Sequence, residues 1–152
     1  GQLQRGANGF AGEIGHMVVE RDGVECPCGR RGCWERYASG SALKMLSGGV
    51  DGRDVFEKFH AGDDDATAVV HTFASWIAEG LASLTNICDP EVIVIGGGVI
   101  ESFAARIDVL EEKFSQSLYS SQMRPHPRLV PAALGEKAGA VGAALLVAEV
   151  VN

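Results

Sequence analysis

Asp89-Pro90-Glu91-Val92-Ile93-Val94-Ile95-Gly96-Gly97-Gly98 is the segment from which the architecture can be worked out. Four β-branched residues between a proline stop and three glycines are too few for a helix. Being apolar throughout, they predict a parallel strand covered on both faces. Asp89-Pro90 closes the element before it, because proline disfavours helical backbone at the residue it follows. Upstream, Val69, Val70, Phe73, Ile77, Leu81, Leu84 and Cys88 recur at three- or four-residue spacing, which predicts a helix over 66–88 with one face on the sheet. Downstream, the pattern predicts a helix from about Glu101 to Leu118 and a strand near Leu129-Val130-Pro131. A final helix, 138–151, is rich in alanine and glycine, and its small residues permit close helix packing. Alternating helix and strand make the chain α/β. One strongly apolar strand and about three weaker ones must cover several long helices. The core therefore reads as one-sided, as expected of the C-terminal part of a longer protein.

Working toward the start, Gly1, Gly6, Gly9, Gly12 and Gly15 suggest a hairpin and then a loop that approaches a ligand closely. Met17-Val18-Val19-Glu20 reads as a short strand. Ser39 or Ser41 can cap a short helix through Met45, and a second short helix, Asp54 to His60, follows the turn at Gly48-Gly49. The run Asp63-Asp64-Asp65 is read as helix-start charge favoured by the macrodipole rather than as a metal site.

His16, Cys26, Cys28 and Cys33 fall within eighteen residues. Three thiolates and one imidazole fill a tetrahedral shell with no open position, the arrangement of a structural zinc ion rather than a catalytic one. Pro27 stiffens the turn between the first two thiols, and Gly29 and Gly32 allow the chain to reverse. A disulfide framework fits poorly. Three clustered cysteines cannot pair evenly, and Cys88 lies far away in the predicted long helix, where it reads as a small buried hydrophobe.

With 152 residues, 46% of them hydrophobic, the chain is long enough for a compact domain with a real core. No apolar run approaches the roughly 20 residues of a membrane-spanning helix, and the opening Gly1-Gln2-Leu3-Gln4-Arg5 is not a signal peptide. The default expectation is a cytoplasmic protein without membrane partners. A net charge of −7 argues against nucleic acid as a partner of this segment, since phosphate binding needs a basic surface.

Gly12-Glu13-Ile14-Gly15-His16, followed by Cys26-Pro27-Cys28-Gly29-Arg30-Arg31-Gly32-Cys33-Trp34-Glu35, resembles the ROK family of bacterial sugar kinases and repressors. The likeness continues through Asp89 to Val99 and Gly135 to Ala144. It is strongest to the family's ATP-dependent glucokinases from high-GC Gram-positive bacteria. The resemblance implies a two-lobed, actin-like ATPase fold of the ribonuclease H-like kind. Residues 1–152 would supply its larger C-terminal lobe, with a zinc loop over 16–35 and a nucleotide-side strand and glycine turn over 92–99. It further implies that Glu13, His16 and Glu35 contact sugar hydroxyls and that Gly96, Gly97 and Gly98 approach the adenosine part of ATP. Mg²⁺ would accompany the phosphates. The family's Asp-x-Gly-Gly-Thr motif and its Asn-Asp pair, whose aspartate is the general base, do not occur in these residues, so no catalytic residue is assigned within them. The implied partners are a hexose, glucose first, and further copies of the chain in a homodimer or homotetramer.

The side chains support the sugar contacts independently. Ionised carboxylates accept hydrogen bonds from vicinal hydroxyls, and a histidine with one nitrogen on zinc presents the other as an N–H donor. Taken singly, Glu13 and Glu35 read as ordinary surface charge. Without the family, Gly96-Gly97-Gly98 is as well explained by a strand-to-helix turn, since it lacks the G-x-G-x-x-G spacing and a Walker lysine. His60, His71 and His126 carry no clustered partners. Trp34 and Trp76 read as core aromatics, with Trp34 also open as a wall of the sugar pocket. Two functions stay in view: a kinase for glucose or another hexose such as N-acetylmannosamine or fructose, and a sugar-responsive repressor with a helix-turn-helix ahead of Gly1. A stand-alone zinc module leaves the large α/β remainder unexplained.

Overall fold

The computed structural model describes residues 2–151. Helix α1 spans Gly40–Leu46, α2 Gly52–His60 and α3 Asp64–Cys88; strand β1 is Val92–Ile95, followed by α4 Gly98–Phe103, α5 Ile107–Ser117, strand β2 Arg128–Pro131 and α6 Ala138–Val151. The first three helices start on side-chain caps at Ser39, Asp51 and Asp63. Asp63 accepts the amide of Ala66 at 2.8 Å, and Asp64 and Asp65 fill the first turn of α3. The acidic run is thus a cap and a dipole partner. At its other end α3 stops at Asp89, whose left-handed backbone (φ 42°) turns the chain toward Pro90.

Helix α3 is the centre of the core, and its main partners are helices rather than the sheet its periodicity suggested, although Ile93, Ile95 and Leu129 of the strands join the same core. Its most extensive contacts are with α5, then with α2 and α1. Ala74, Ala78 and Ala82 are buried at four-residue spacing, which leaves room for Val109, Leu110 and Phe114 of α5 in the same core. Fully burying each such large apolar side chain contributes about 1.5–3 kcal/mol. An apolar stripe is indifferent to what covers it, so sequence alone could not choose between sheet and helix. Cys88 is also corrected: it is exposed, beside Ile87 at 73% exposure. Thr85 is the last buried residue of α3, so the apolar stripe outruns its packing partners.

The predicted helix 101–118 is broken into α4 and α5 by a 3₁₀ turn, Ala104–Arg106. Phe103 is fully buried with its ring edge-on to Phe56 at 5.2 Å. The tighter turn after it re-aims the chain so that the apolar face of α5 meets α3. The two strands pair in parallel, Val92 opposite Arg128 through Ile95 opposite Pro131. Ile93 and Ile95 pack on the core, whereas Val94 is 64% exposed. The strand foreseen as covered on both faces is therefore covered on one among the described residues.

Two further expectations are corrected. Residues 2–13 form turns rather than a hairpin, closed by the Ala11 amide donating to the Arg5 carbonyl at 3.1 Å. Met17 to Glu20 is not a strand; only Val18 pairs, in an isolated antiparallel bridge with Cys33. Helix α6 forms as foreseen, but its most extensive contact is with the 3₁₀ turn before it, Gly135–Lys137, and Leu145 and Val147 are exposed. Among the described residues no helix is long and apolar enough to cross a membrane.

Candidate functional site

The cysteine segment folds as a knuckle held by short-range backbone bonds. The Cys26 amide donates to the Arg30 carbonyl at 2.8 Å and the Gly29 amide to the Cys26 carbonyl at 3.0 Å. This brings Cys28 back toward Cys26, with Gly29 supplying the positive φ the turn needs. At Gly32 (φ 73°) a side chain would overlap the Glu20 carbonyl, so the reversal requires glycine there. His16 ends one 3₁₀ turn, Ile14–His16, and Cys33 caps another, Trp34–Arg36. The Trp34 amide donates to the Met17 carbonyl at 2.8 Å, which ties the residue after His16 to the residue after Cys33. The ligand-type residues of this short segment therefore converge.

The ligand atoms of His16, Cys26, Cys28 and Cys33 all lie within 4.8 Å of one another. The Cys28 and Cys33 sulfurs are 3.6 Å apart, and the Cys26 sulfur is 3.8 Å from His16 Nδ1. A tetrahedral zinc ion with bonds of about 2.3 Å to sulfur spaces two thiolates about 3.8 Å apart, so the donor set fits such an ion. The Cys26 thiol donates to Glu35 Oε1 at 2.9 Å, and this bond pushes its pKa up to about 12. Burial raises that of Cys33, while the Arg30 amide lowers that of Cys28. Two of the three sulfurs thus favour the protonated form on their own, and a cation reverses that preference.

His16 stands between the sulfurs and two carboxylates. Its Nδ1 faces the Cys26 sulfur and lies 3.5 Å from Glu35 Oε1, and its Nε2 lies 3.9 Å from Glu13 Oε2. Glu13 is exposed, and His16 and Glu35 are half-buried. Glu35 packs beside Gly15, where an added Cβ would make an ordinary 3.4 Å contact with the Cβ of Glu35. The structure thus brings Glu13, His16 and Glu35 together at the edge of the cysteine cluster, where two acceptors flank one imidazole.

The glycine turn after β1 lies on a different feature. Gly96, Gly97 and Gly98 line a cavity of about 860 Å³ together with Ser39, Leu43, Asp51, Arg53, Phe56 and Glu101. Gly97 has φ 102°, which an L side chain adopts only under strain. Leu43 and Phe56 give an apolar floor, and the polar groups stand around it. Sequence reading singled out only the glycines. Ser39 was legible as a helix cap, and the proximity of α1 and α2 to the turn is a tertiary fact.

The remaining candidates settle into structure. Trp34 is 9% exposed and belongs to the core, not to a pocket wall. His60 packs against Phe56 and Phe59, and His71 stands edge-on to Phe59. His126 Nε2 lies 2.9 Å from the Ser121 carbonyl in the loop before β2.

A match to the ROK family spans residues 1–150. The chain belongs to the ROK family. It is 32% identical to a xylose repressor from Bacillus spizizenii, over 97% of this chain and 39% of the repressor. It is also 32% identical to a glucokinase from Streptomyces coelicolor, over 97% of this chain and 54% of that enzyme. Identity to an N-acetylmannosamine kinase from Haemophilus influenzae is 37%, over 97% of this chain and 49% of that kinase. The chain thus spans 39 to 54% of the length of these relatives. Among solved ROK structures, the glucokinase from Streptomyces griseus in complex with glucose and AMPPNP superposes with a TM-score of 0.89 at 35% identity, covering 95% of this chain and 54% of that one. The ROK hexokinase from Thermus thermophilus gives 0.85 at 38%, covering 100% and 53%. The fold is accordingly that of a ROK sugar kinase, an actin-like ATPase of α/β content.

Proposed function

We propose that this ROK chain is the larger, C-terminal lobe of an ATP-dependent hexose kinase whose first substrate is glucose. The observation that carries the reading is His16, which presents one ring nitrogen to the thiols and the other to Glu13, with Glu35 alongside. His16, Cys26, Cys28 and Cys33 would hold a structural zinc ion. When bound, that ion supplies a fixed anchor for the loop and keeps one imidazole nitrogen occupied. His16 Nε2 then carries the proton and donates to a sugar hydroxyl, while Glu13 and Glu35 accept from neighbouring hydroxyls. These three contacts orient the hexose so that its primary hydroxyl is offered to the γ-phosphate of ATP. The adenosine part lies against Gly96, Gly97 and Gly98, in a cavity within the usual size range for small ligands. Mg²⁺ bound with the nucleotide would supply charge neutralisation of the phosphates, and an aspartate outside these residues would take the hydroxyl proton. The glucose and AMPPNP complex of the Streptomyces griseus relative supports this choice of substrates. A cytoplasmic homodimer or homotetramer completes the proposal.

A sugar-responsive repressor is the second reading, favoured by the match to the Bacillus spizizenii xylose repressor over 97% of the chain. Turnover of ATP by the full-length protein with glucose, mannose, fructose and N-acetylmannosamine separates the two. Turnover fastest with glucose is expected, and no turnover with any of the four contradicts the kinase.

A further inference from the structure

We infer that Trp34 is a positioning residue for the sugar site: seated on α3 at Gly80, it sets the places of Cys33 before it and Glu35 after it. The inference rests on the hexose reading above. The backbone bonds inside the knuckle, and any ion held by its sulfurs, act within the knuckle and do not seat it on the rest of the protein. Trp34 supplies that seat. Its indole N–H donates to the Trp76 carbonyl of α3 at 2.7 Å. One turn further along, Gly80 lies so close beneath the ring that a methyl group there would overlap Cδ2, Cε2 and Cζ2. Absence of a side chain at position 80 is therefore what allows the indole to lie on the helix backbone. Tyr37 repeats the attachment: its ring stacks on Trp76 at 4.4 Å, and its hydroxyl accepts the Val24 amide at 2.8 Å. Through its own amide, Trp34 also holds Met17, and with it His16. One aromatic seat thus fixes three groups of the cluster relative to α3. Sugar contacts are sensitive to displacements of the order of 1 Å.

The test is Gly80→Ala in the full-length protein. Alanine is the better helix former, so α3 is not weakened by propensity, and the new methyl group strikes the indole directly. The expected result is a hexose KM raised about tenfold or more, with the ATP KM within about twofold of wild type and zinc content unchanged. Trp34→Leu should raise hexose KM similarly, and adding Gly80→Ala to it should cost almost nothing more, because the overlapping ring is gone. A hexose KM unchanged in Gly80→Ala, both KM values rising alike, or the two substitutions multiplying would each overturn the inference. Should Gly80→Ala not fold, Trp34→Phe decides: it keeps a ring but loses the indole N–H, and hexose KM should rise about threefold. No rise would overturn it. Glucose calorimetry separates this from failure of the kinase reading. A wild type that binds glucose without turning it over contradicts the kinase alone and leaves the inference readable as the ratio of Kd values. A wild type that binds no hexose contradicts both.

Discussion

The cysteine knuckle and the glycine turn after β1 are the two candidate sites of the chain, and they are built by opposite means. In the knuckle the side chains carry the information: three sulfurs and an imidazole converge within 4.8 Å, and two carboxylates flank the imidazole. At Gly96 to Gly98 there are no side chains to read, and the site is a backbone curve completed by Ser39, Asp51 and Phe56 from α1 and α2. A site built from donor atoms can be recognised locally. One built from missing side chains depends on what the rest of the fold places around it.

The sharpest way to break this contrast is Cys33→Ser, which removes a fully buried sulfur from the knuckle. Zinc content should fall from about one per chain to near zero, and hexose phosphorylation should drop about 100-fold or more. Affinity for an ATP analogue should stay within about twofold, because the glycine turn is separate. Loss of both together would mean that the two regions are one unit. Glu35→Gln comes next: it removes a charged acceptor but no metal donor, so hexose KM should rise about 10-fold, with zinc retained, in metal analysis and steady-state kinetics on the same preparation. Gly97→Ala tests the other side. At φ 102° a Cβ costs about 1–2 kcal/mol of strain, and the expected readout is an ATP KM raised a few-fold with the hexose KM unmoved. The smallest effect is assigned to Glu25→Gln, which breaks the exposed pair with Arg31 on the knuckle's outer edge. Its cost should be below about 1 kcal/mol in thermal unfolding, with both KM values unchanged.

The same contrast explains what could be read in advance. The four converging residues were legible because their chemistry leaves few uses for such a set at that spacing. Helix α1 was legible from a cap at Ser39 or Ser41, α2 from the Gly48-Gly49 turn ahead of it, and α3 from its acidic start and the period of Val70, Phe73, Ile77 and Leu81. What α3 packs against was not, since an apolar stripe fits a sheet or another helix equally well. Cys88 was misjudged for the same reason: it continues the stripe past Thr85, where the covering helices have ended. The break at Ala104–Arg106 has no proline or glycine to announce it and follows from the burial of Phe103 against Phe56. Val94 keeps an open face although its composition matches a doubly covered strand. Trp34 was ambiguous until its indole was placed on Gly80, a contact between residues 46 positions apart.

In the proposed kinase the thiol cluster and the sugar contacts act as one device through His16. Calorimetric titration of glucose into the full-length protein, before and after zinc is stripped with a chelator at neutral pH, tests it most directly. Glucose affinity should fall about 10- to 100-fold on stripping and return when zinc is restored, with the protein still folded by circular dichroism. Equal glucose affinity in the zinc-loaded and zinc-stripped folded protein would contradict it.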